Sequence, residues 1–182
     1  MPSKATAILL SAVFLLFASA TDTRAEDRTY AGLRLGSSPE EVKDVFRRAG
    51  IRLQDSRPGA LSFTRPPVDI KGVKSGELWF RNKKLYLIAL QFDHTFDWSK
   101  IESSYRQLKS RLAAKYGSPP WSDDEVSWLD SVRKKGKRLT SRWQQEEVTI
   151  GVFVSRADES SAWNLLLLYI NEKLQAEKEE GL

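Results

Sequence analysis

The stretch from Glu77 to Tyr116 constrains the fold most, because it combines an apolar hairpin with an amphipathic helix. The hairpin begins with Glu77–Phe80 and continues with Leu85–Phe92. The second of these runs is apolar on both faces, which is typical of a strand in the middle of a sheet. Further on, apolar residues recur at helical spacing: Trp98, Ile101, Tyr105, Leu108, Leu112 and Tyr116. A sheet surface and a helix stripe of this kind leave water by packing on each other.

A second helix is predicted to begin after Ser38, because the residues around it form a complete helix start. Ser38 and Glu41 have the spacing of a capping box, in which each side chain bonds the other residue's backbone N–H. Pro39 is suited to the first helical position, where its missing N–H is not needed. Gly50 is placed to end this helix in the left-handed conformation.

Short strands are predicted around the two helices from alternating apolar residues and turn signals. They are Tyr30–Leu35, Ile51–Gln54, Ala60–Phe63, Leu139–Gln144, Glu147–Val154 and Trp163–Ile170. The segment Trp121–Arg138 is polar and poorly periodic, and it is predicted to be a long loop. We therefore predict an α+β fold, a two-layer sandwich with two main helices packed on one face of an antiparallel sheet. The open sheet face is then the natural surface for a partner.

Residues 1–25 have the order of a cleaved secretory signal peptide. Lys4 precedes the uncharged apolar run Ala7–Ala20, and small-x-small cleavage sites follow it. This run is shorter than the roughly 20 residues of a membrane span, although an uncleaved anchor helix is the alternative. The rest is predicted to be one α+β domain at residues 26–171 and a charged tail at 172–182. We expect a periplasmic protein, with secretion into the medium as the alternative.

The composition excludes several classes of function. The chain has no cysteine and one histidine, His94, so common metal-ligand sets and Cys/His nucleophile pairs cannot form. It has no phosphate-binding glycine loop or dinucleotide motif, and we expect no cofactor. With 29 basic and 24 acidic residues, the mild positive excess does not indicate a nucleic-acid-binding protein.

The strongest charge feature is a run from Arg133 to Arg138 that holds five positive charges in six residues. Such a run favours anionic lipid headgroups, lipopolysaccharide phosphates or an acidic protein, and a solvated hairpin tip is the alternative. Trp121 and Trp128 precede it and are candidates for exposed contacts. The predicted binding residues are Trp121, Trp128, Arg133, Lys134, Lys135, Lys137 and Arg138.

The run from Gly32 to Val42 resembles the opening strand, glycine and Ser/Thr-x-x-Glu helix of small envelope domains. These are the BamE/SmpA outer-membrane assembly family and the β-lactamase-inhibitor-protein-like domains. Tyr116-Gly-Ser-Pro119 with the later Trp143 is similar to their helix, Gly-x-Pro and Trp-containing strand. The resemblance covers about a third of the chain and implies a non-catalytic domain that works through protein contacts. The lipobox cysteine of BamE has no counterpart in this chain.

We predict a non-catalytic exported binding or accessory protein that acts through the open sheet face and the Trp121–Arg138 segment. Its expected partner is an envelope protein or an anionic envelope surface. One alternative is an inhibitor of an envelope or secreted enzyme that uses the same sheet face. Another is a minor hydrolase that uses carboxylates near His94, namely Asp93 and Asp97. Asp97 is more simply explained as a helix N-cap.

Overall fold

The computed structural model describes residues 29–123, 136–156 and 162–177, and of residues 123 and 136–139 it describes the backbone only. Within these ranges the chain forms eight strands and three helices. The helices are α1 (Pro39–Arg48), α2 (Trp98–Tyr116) and α3 (Glu172–Ala176). The strands are β1 (Gln54–Arg57), β2 (Ala60–Phe63), β3 (Ser75–Arg81), β4 (Lys84–Thr95), β5 (Trp121–Asp123), β6 (Gly136–Gln145), β7 (Val148–Arg156) and β8 (Trp163–Asn171).

The eight strands form one antiparallel sheet in the order β1-β2-β3-β4-β8-β7-β6-β5. Strands β1–β4 follow one another as a first meander, and β5–β8 follow one another as a second. The two meanders meet where β4 pairs with β8, for example at Ile88 opposite Tyr169 and Leu90 opposite Leu167. Helix α2 is the connection between the meanders and lies against β4, β6, β7 and β8.

The predicted two-layer sandwich with two main helices on one face is wrong. The part of the chain that the structure describes consists mainly of one eight-stranded antiparallel sheet, together with three short helices. The apolar pattern of the sequence underestimates the size of the sheet, because the edge strands contain few apolar residues. All four residues of β1 are exposed, so no alternation marks this strand. Strand β5 lies in the segment predicted to be a loop.

One face of the sheet, called the core face, carries most of the buried strand residues. Its central row runs across five strands through Leu78, Ile88, Tyr169, Ile150 and Trp143, which stand opposite one another and are all buried. The helices contribute apolar side chains to the same hydrophobic cluster: Val42, Phe46, Trp98, Ile101, Tyr105, Leu108 and Leu112. The helical spacing predicted for α2 therefore identifies its buried side correctly.

The two helix starts have the chemistry that the sequence indicates. At α1 the capping box is confirmed, because the Ser38 backbone N–H donates to Glu41 Oε2 at 2.7 Å and the Glu41 N–H donates to Ser38 Oγ at 3.3 Å. Gly50 follows this helix at φ +67°, in the left-handed region that favours glycine. At α2 the N-cap is Asp97, whose carboxylate accepts the Lys100 N–H at 3.3 Å.

The capping box makes stability depend on pH. The hydrogen bonds from the Ser38 backbone and hydroxyl lower the pKa of the Glu41 carboxyl in the folded protein. Because this pKa lies below the unfolded value, the stabilisation is complete above the unfolded pKa and is lost as the pH falls through the folded one. We expect Glu41→Gln to remove this part of the acid dependence. At about pH 7 the Glu41→Gln variant should have a lower free energy of unfolding than the parent, and at about pH 2 the two should be equal.

Urea unfolding across that pH range measures the effect, and Glu40→Gln is the matched control. Glu40 is the neighbouring first-turn carboxylate, whereas the capping-box bonds are made by Glu41. An equal change in the pH dependence of both variants would contradict the assignment to the capping box.

Two smaller expectations also need correction. The segment predicted as the strand Tyr30–Leu35 forms an isolated bridge between Tyr30 and Leu33. The segment predicted as a loop from Trp121 to Arg138 begins and ends in strands, β5 and β6. Among the described helices, none has both the length and the apolar character needed to cross a membrane.

Candidate functional site

The face of the sheet opposite the core face is called the open face, and one row of residues crosses it on all eight strands. In spatial order the row is Trp121, Arg142, Gly151, Leu168, Ala89, Glu77, Ser62 and Gln54. These residues lie outside the hydrophobic cluster of the core face. Side chains alternate between the two faces along a strand. On each strand, the residues two positions before and after a member of this row therefore also belong to the open face.

Half-buried aliphatic side chains occupy the middle of the open face. They lie on the two central strands, β4 and β8, and are Leu87, Ala89, Leu166, Leu168 and Ile170. These strands are apolar on both faces, which is the pattern that predicted a central strand from Leu85 to Phe92. The sheet therefore carries an aliphatic surface that its hydrophobic core cluster does not include.

On β7 the open face carries a buried aromatic side chain, Phe153. It stands opposite Leu166 and is 5% exposed. Its ring lies along its own strand over Gly151, where a Cβ atom would come within 2.4 Å of the ring. Gly151 therefore leaves the space that the Phe153 ring occupies.

A tryptophan and an arginine form a fixed cluster on the β1–β3 side of the aliphatic surface. The Arg57 guanidinium lies 4.6 Å from the centroid of the Trp79 ring, a cation–π distance. Glu77 joins the two, because its carboxylate accepts from Arg57 at 3.2 Å and from Trp79 Nε1 at 3.2 Å. These contacts hold the half-buried Trp79 ring in one orientation on the open face.

The opposite side of the aliphatic surface ends in a second tryptophan and arginine. Trp121 on the edge strand β5 stands directly opposite Arg142 on β6. Trp121 is 51% exposed, and Arg142 is exposed as well. Trp121 is thus the predicted binding residue that the structure places on the open face, although it lies in a strand and not in a loop.

The other predicted binding residues are described only in part. Lys137 and Arg138 lie on strand β6, of which the structure gives the backbone at these positions. Trp128, Arg133, Lys134 and Lys135 lie outside the described residues. The structure therefore brings Trp121 together with residues that the sequence prediction did not include, above all Trp79, Arg57 and Arg142.

His94 belongs to a row of polar side chains at one end of the open face. Its Nδ1 atom is 2.9 Å from Asn164 Oδ1, which also accepts from Gln91 Nε2 at 2.9 Å. Gln91 in turn accepts from Ser75 Oγ at 3.1 Å. Since Asn164 Oδ1 is an acceptor, His94 Nδ1 is the donor in this bond. An amide thus orients the imidazole, whereas the carboxylate of Asp97 caps α2.

Metal ligands do not cluster in the part of the chain that the structure describes. It contains no group of three or more histidine, aspartate or glutamate side chains that could hold a metal ion. Comparisons with protein-family models, curated proteins and solved structures give no match. The resemblance to BamE/SmpA-like and inhibitor-protein-like domains therefore stays a prediction from the sequence.

Proposed function

We propose that this chain is an exported, non-catalytic binding protein that contacts a partner protein through the open face. One observation carries the proposal: two tryptophan–arginine pairs, Trp79 with Arg57 and Trp121 with Arg142, lie on either side of one aliphatic surface. Tryptophan and arginine are the residue types most enriched among the energetically dominant contacts of protein interfaces.

The dimensions of the open face suit a protein better than a small ligand. Trp79 on β3 and Trp121 on β5 are separated by five strand spacings, which corresponds to about 24 Å. A partner that reaches both tryptophans covers the aliphatic residues between them. The Arg57–Glu77–Trp79 contacts fix one anchor before binding, which lowers the entropy lost on association.

The cellular setting is part of the proposal and is supported by the sequence. The apolar run after Lys4 and the following small-x-small sites favour export through a cleaved signal peptide. We infer a periplasmic location and an envelope protein as partner. An anionic envelope surface is the competing partner, and it would use the basic residues near Arg133–Arg138 instead of the open face.

Site-specific photo-crosslinking in cells tests the proposal. A photoreactive phenylalanine analogue replaces Trp121 or Arg142 on the open face, and Ser103 on the exposed side of α2 is the matched control. We expect the two open-face positions to capture the same protein and the control position to capture none of it. Adding Trp79→Ala to the Trp121 probe should lower the yield at least about tenfold, as expected for loss of a dominant contact.

Other outcomes separate the alternatives. Capture of lipid or lipopolysaccharide alone, or equal capture from Ser103, would contradict a protein partner at the open face. If the captured partner is an enzyme and the purified chain lowers its activity, the binding protein acts as an inhibitor. Lost activity of the chain itself in His94→Ala, with the fold intact, would instead support the hydrolase alternative.

A further inference from the structure

A groove separate from the open face runs between helix α2 and the loop that precedes β3. Its volume is about 660 Å³, within the range of pockets that hold small molecules. The buried side chains of Phe92 and Leu165 contribute to its lining. Gly72 lets the loop turn beside the Phe92 ring, because its φ of +95° lies in the left-handed region that favours glycine.

Basic side chains dominate the rim of this groove. Lys71 and Lys74 come from the loop, and Arg106 and Arg111 come from α2. The Arg111 guanidinium also donates to the Lys71 backbone carbonyl at 3.4 Å, which connects the two walls. Both walls therefore present cations to the same space.

The cations exceed the carboxylates that could neutralise them. Arg106 pairs with Glu102 at 2.7 Å, and Asp93 is the carboxylate in the lining. Within the described residues, Lys71, Lys74 and Arg111 have no carboxylate in salt-bridge contact. Among the described residues of the lining, Lys71, Lys74 and Arg111 bring three positive charges against the one carboxylate of Asp93, an excess of two. That excess matches the dianion of a phosphate monoester, which carries about −1.5 to −2 charges near neutral pH.

We propose that this groove binds a small molecule that carries a phosphate group next to a short apolar part. The Arg111 guanidinium supplies the planar pair of donors that suits phosphate oxygens, and Lys71 and Lys74 add point charges. The apolar part lies against Phe92. The site is independent of the open face, so it can bind its ligand whether or not a protein partner is present.

Calorimetric titration of the purified protein with hexyl phosphate at low salt tests the proposal. We expect saturable binding that weakens at least about tenfold in Arg111→Gln and in Lys74→Gln, as loss of a charge-assisted hydrogen bond predicts. Lys115→Gln is the matched control, because Lys115 is an exposed cation on the same helix that lies over the Tyr116 ring, 4.9 Å from its centroid. It should change the dissociation constant less than about twofold.

Three results would overturn the proposal. One is the absence of saturable binding up to about 10 mM hexyl phosphate, a concentration that would reveal even a weak site. Another is equal weakening in Lys115→Gln, which would indicate unspecific attraction by the positive surface. The third is inorganic phosphate binding as tightly as hexyl phosphate, which would show that Phe92 and Leu165 contribute nothing to the affinity. Crosslinking from Trp121 is unaffected by any of these results, so the two proposals fail separately.

Discussion

The variant Trp143→Ala is expected to lower the free energy of unfolding by about 3–5 kcal/mol, the usual cost of removing a buried tryptophan. Trp143 is 1% exposed and ends the central row of the core face opposite Ile150. Its indole Nε1 also donates to the Gly117 carbonyl at 2.7 Å. The substitution therefore leaves a cavity under the sheet and removes the partner of the backbone carbonyl at the end of α2.

Urea unfolding of the purified protein measures this loss, and two variants control it. Trp121→Ala removes a tryptophan that is 51% exposed, so its free energy of unfolding should stay within about 0.5 kcal/mol of the parent. The free energy of unfolding of Trp143→Phe should lie between those of the two alanine variants. The phenylalanine keeps most of the ring volume but loses the hydrogen bond to Gly117. Similar values for Trp143→Ala and Trp121→Ala would contradict the assignment of these tryptophans to opposite faces.

The second large effect is expected for Gly76→Ala, at the second residue of β3. A Cβ atom there would lie 2.3 Å from the Phe63 ring and 2.5 Å from the Ala89 carbonyl oxygen. The ring can move, but the carbonyl belongs to the paired strand β4 and cannot move without breaking the ladder. We expect a loss of about 3 kcal/mol, at the upper end of what added atoms cost in a packed core.

The coupling of this substitution to Phe63 distinguishes a clash from a backbone effect. In a Phe63→Leu background, Gly76→Ala should cost less, because the ring contact is gone and the carbonyl contact remains. Gly50→Ala is the control for backbone strain alone, since Gly50 has φ +67° and no atom within 4 Å of a Cβ position. It should cost about 1–2 kcal/mol, with no dependence on Phe63. If Gly76→Ala is equally costly in both backgrounds, the ring is not part of the obstacle.

Local chemistry explains which parts of the fold could be predicted from the sequence. The capping box of Ser38 and Glu41 depends on residues three positions apart, so its spacing is sufficient to identify it. The proportion of sheet to helix could not be predicted in the same way. Strand β1 is recognised only through its pairing with β2, because none of its side chains is buried.

The candidate site shows the same limit. Trp121 is predicted as an exposed contact because it lies in the polar, poorly periodic segment Trp121–Arg138, and the structure confirms that it is exposed. The apolar residues beside Trp79 in the sequence favour a core position for it. Its half-buried position beside Arg57 depends on the register of β1, β2 and β3, which periodicity does not determine. The apolar character of both faces of β4 was the available signal for an aliphatic open face.

The order of the strands also affects how the chain reaches this fold. Within each meander, successive strands are neighbours, so their ladders join residues close in sequence and can form early. The β4–β8 ladder instead joins residues such as Ile88 and Tyr169, and it requires a large loop to close. We expect this ladder to form last and to limit the folding rate. Until it forms, β4 and β8 each present an unpaired apolar edge, and a nascent chain is most exposed to self-association at that stage.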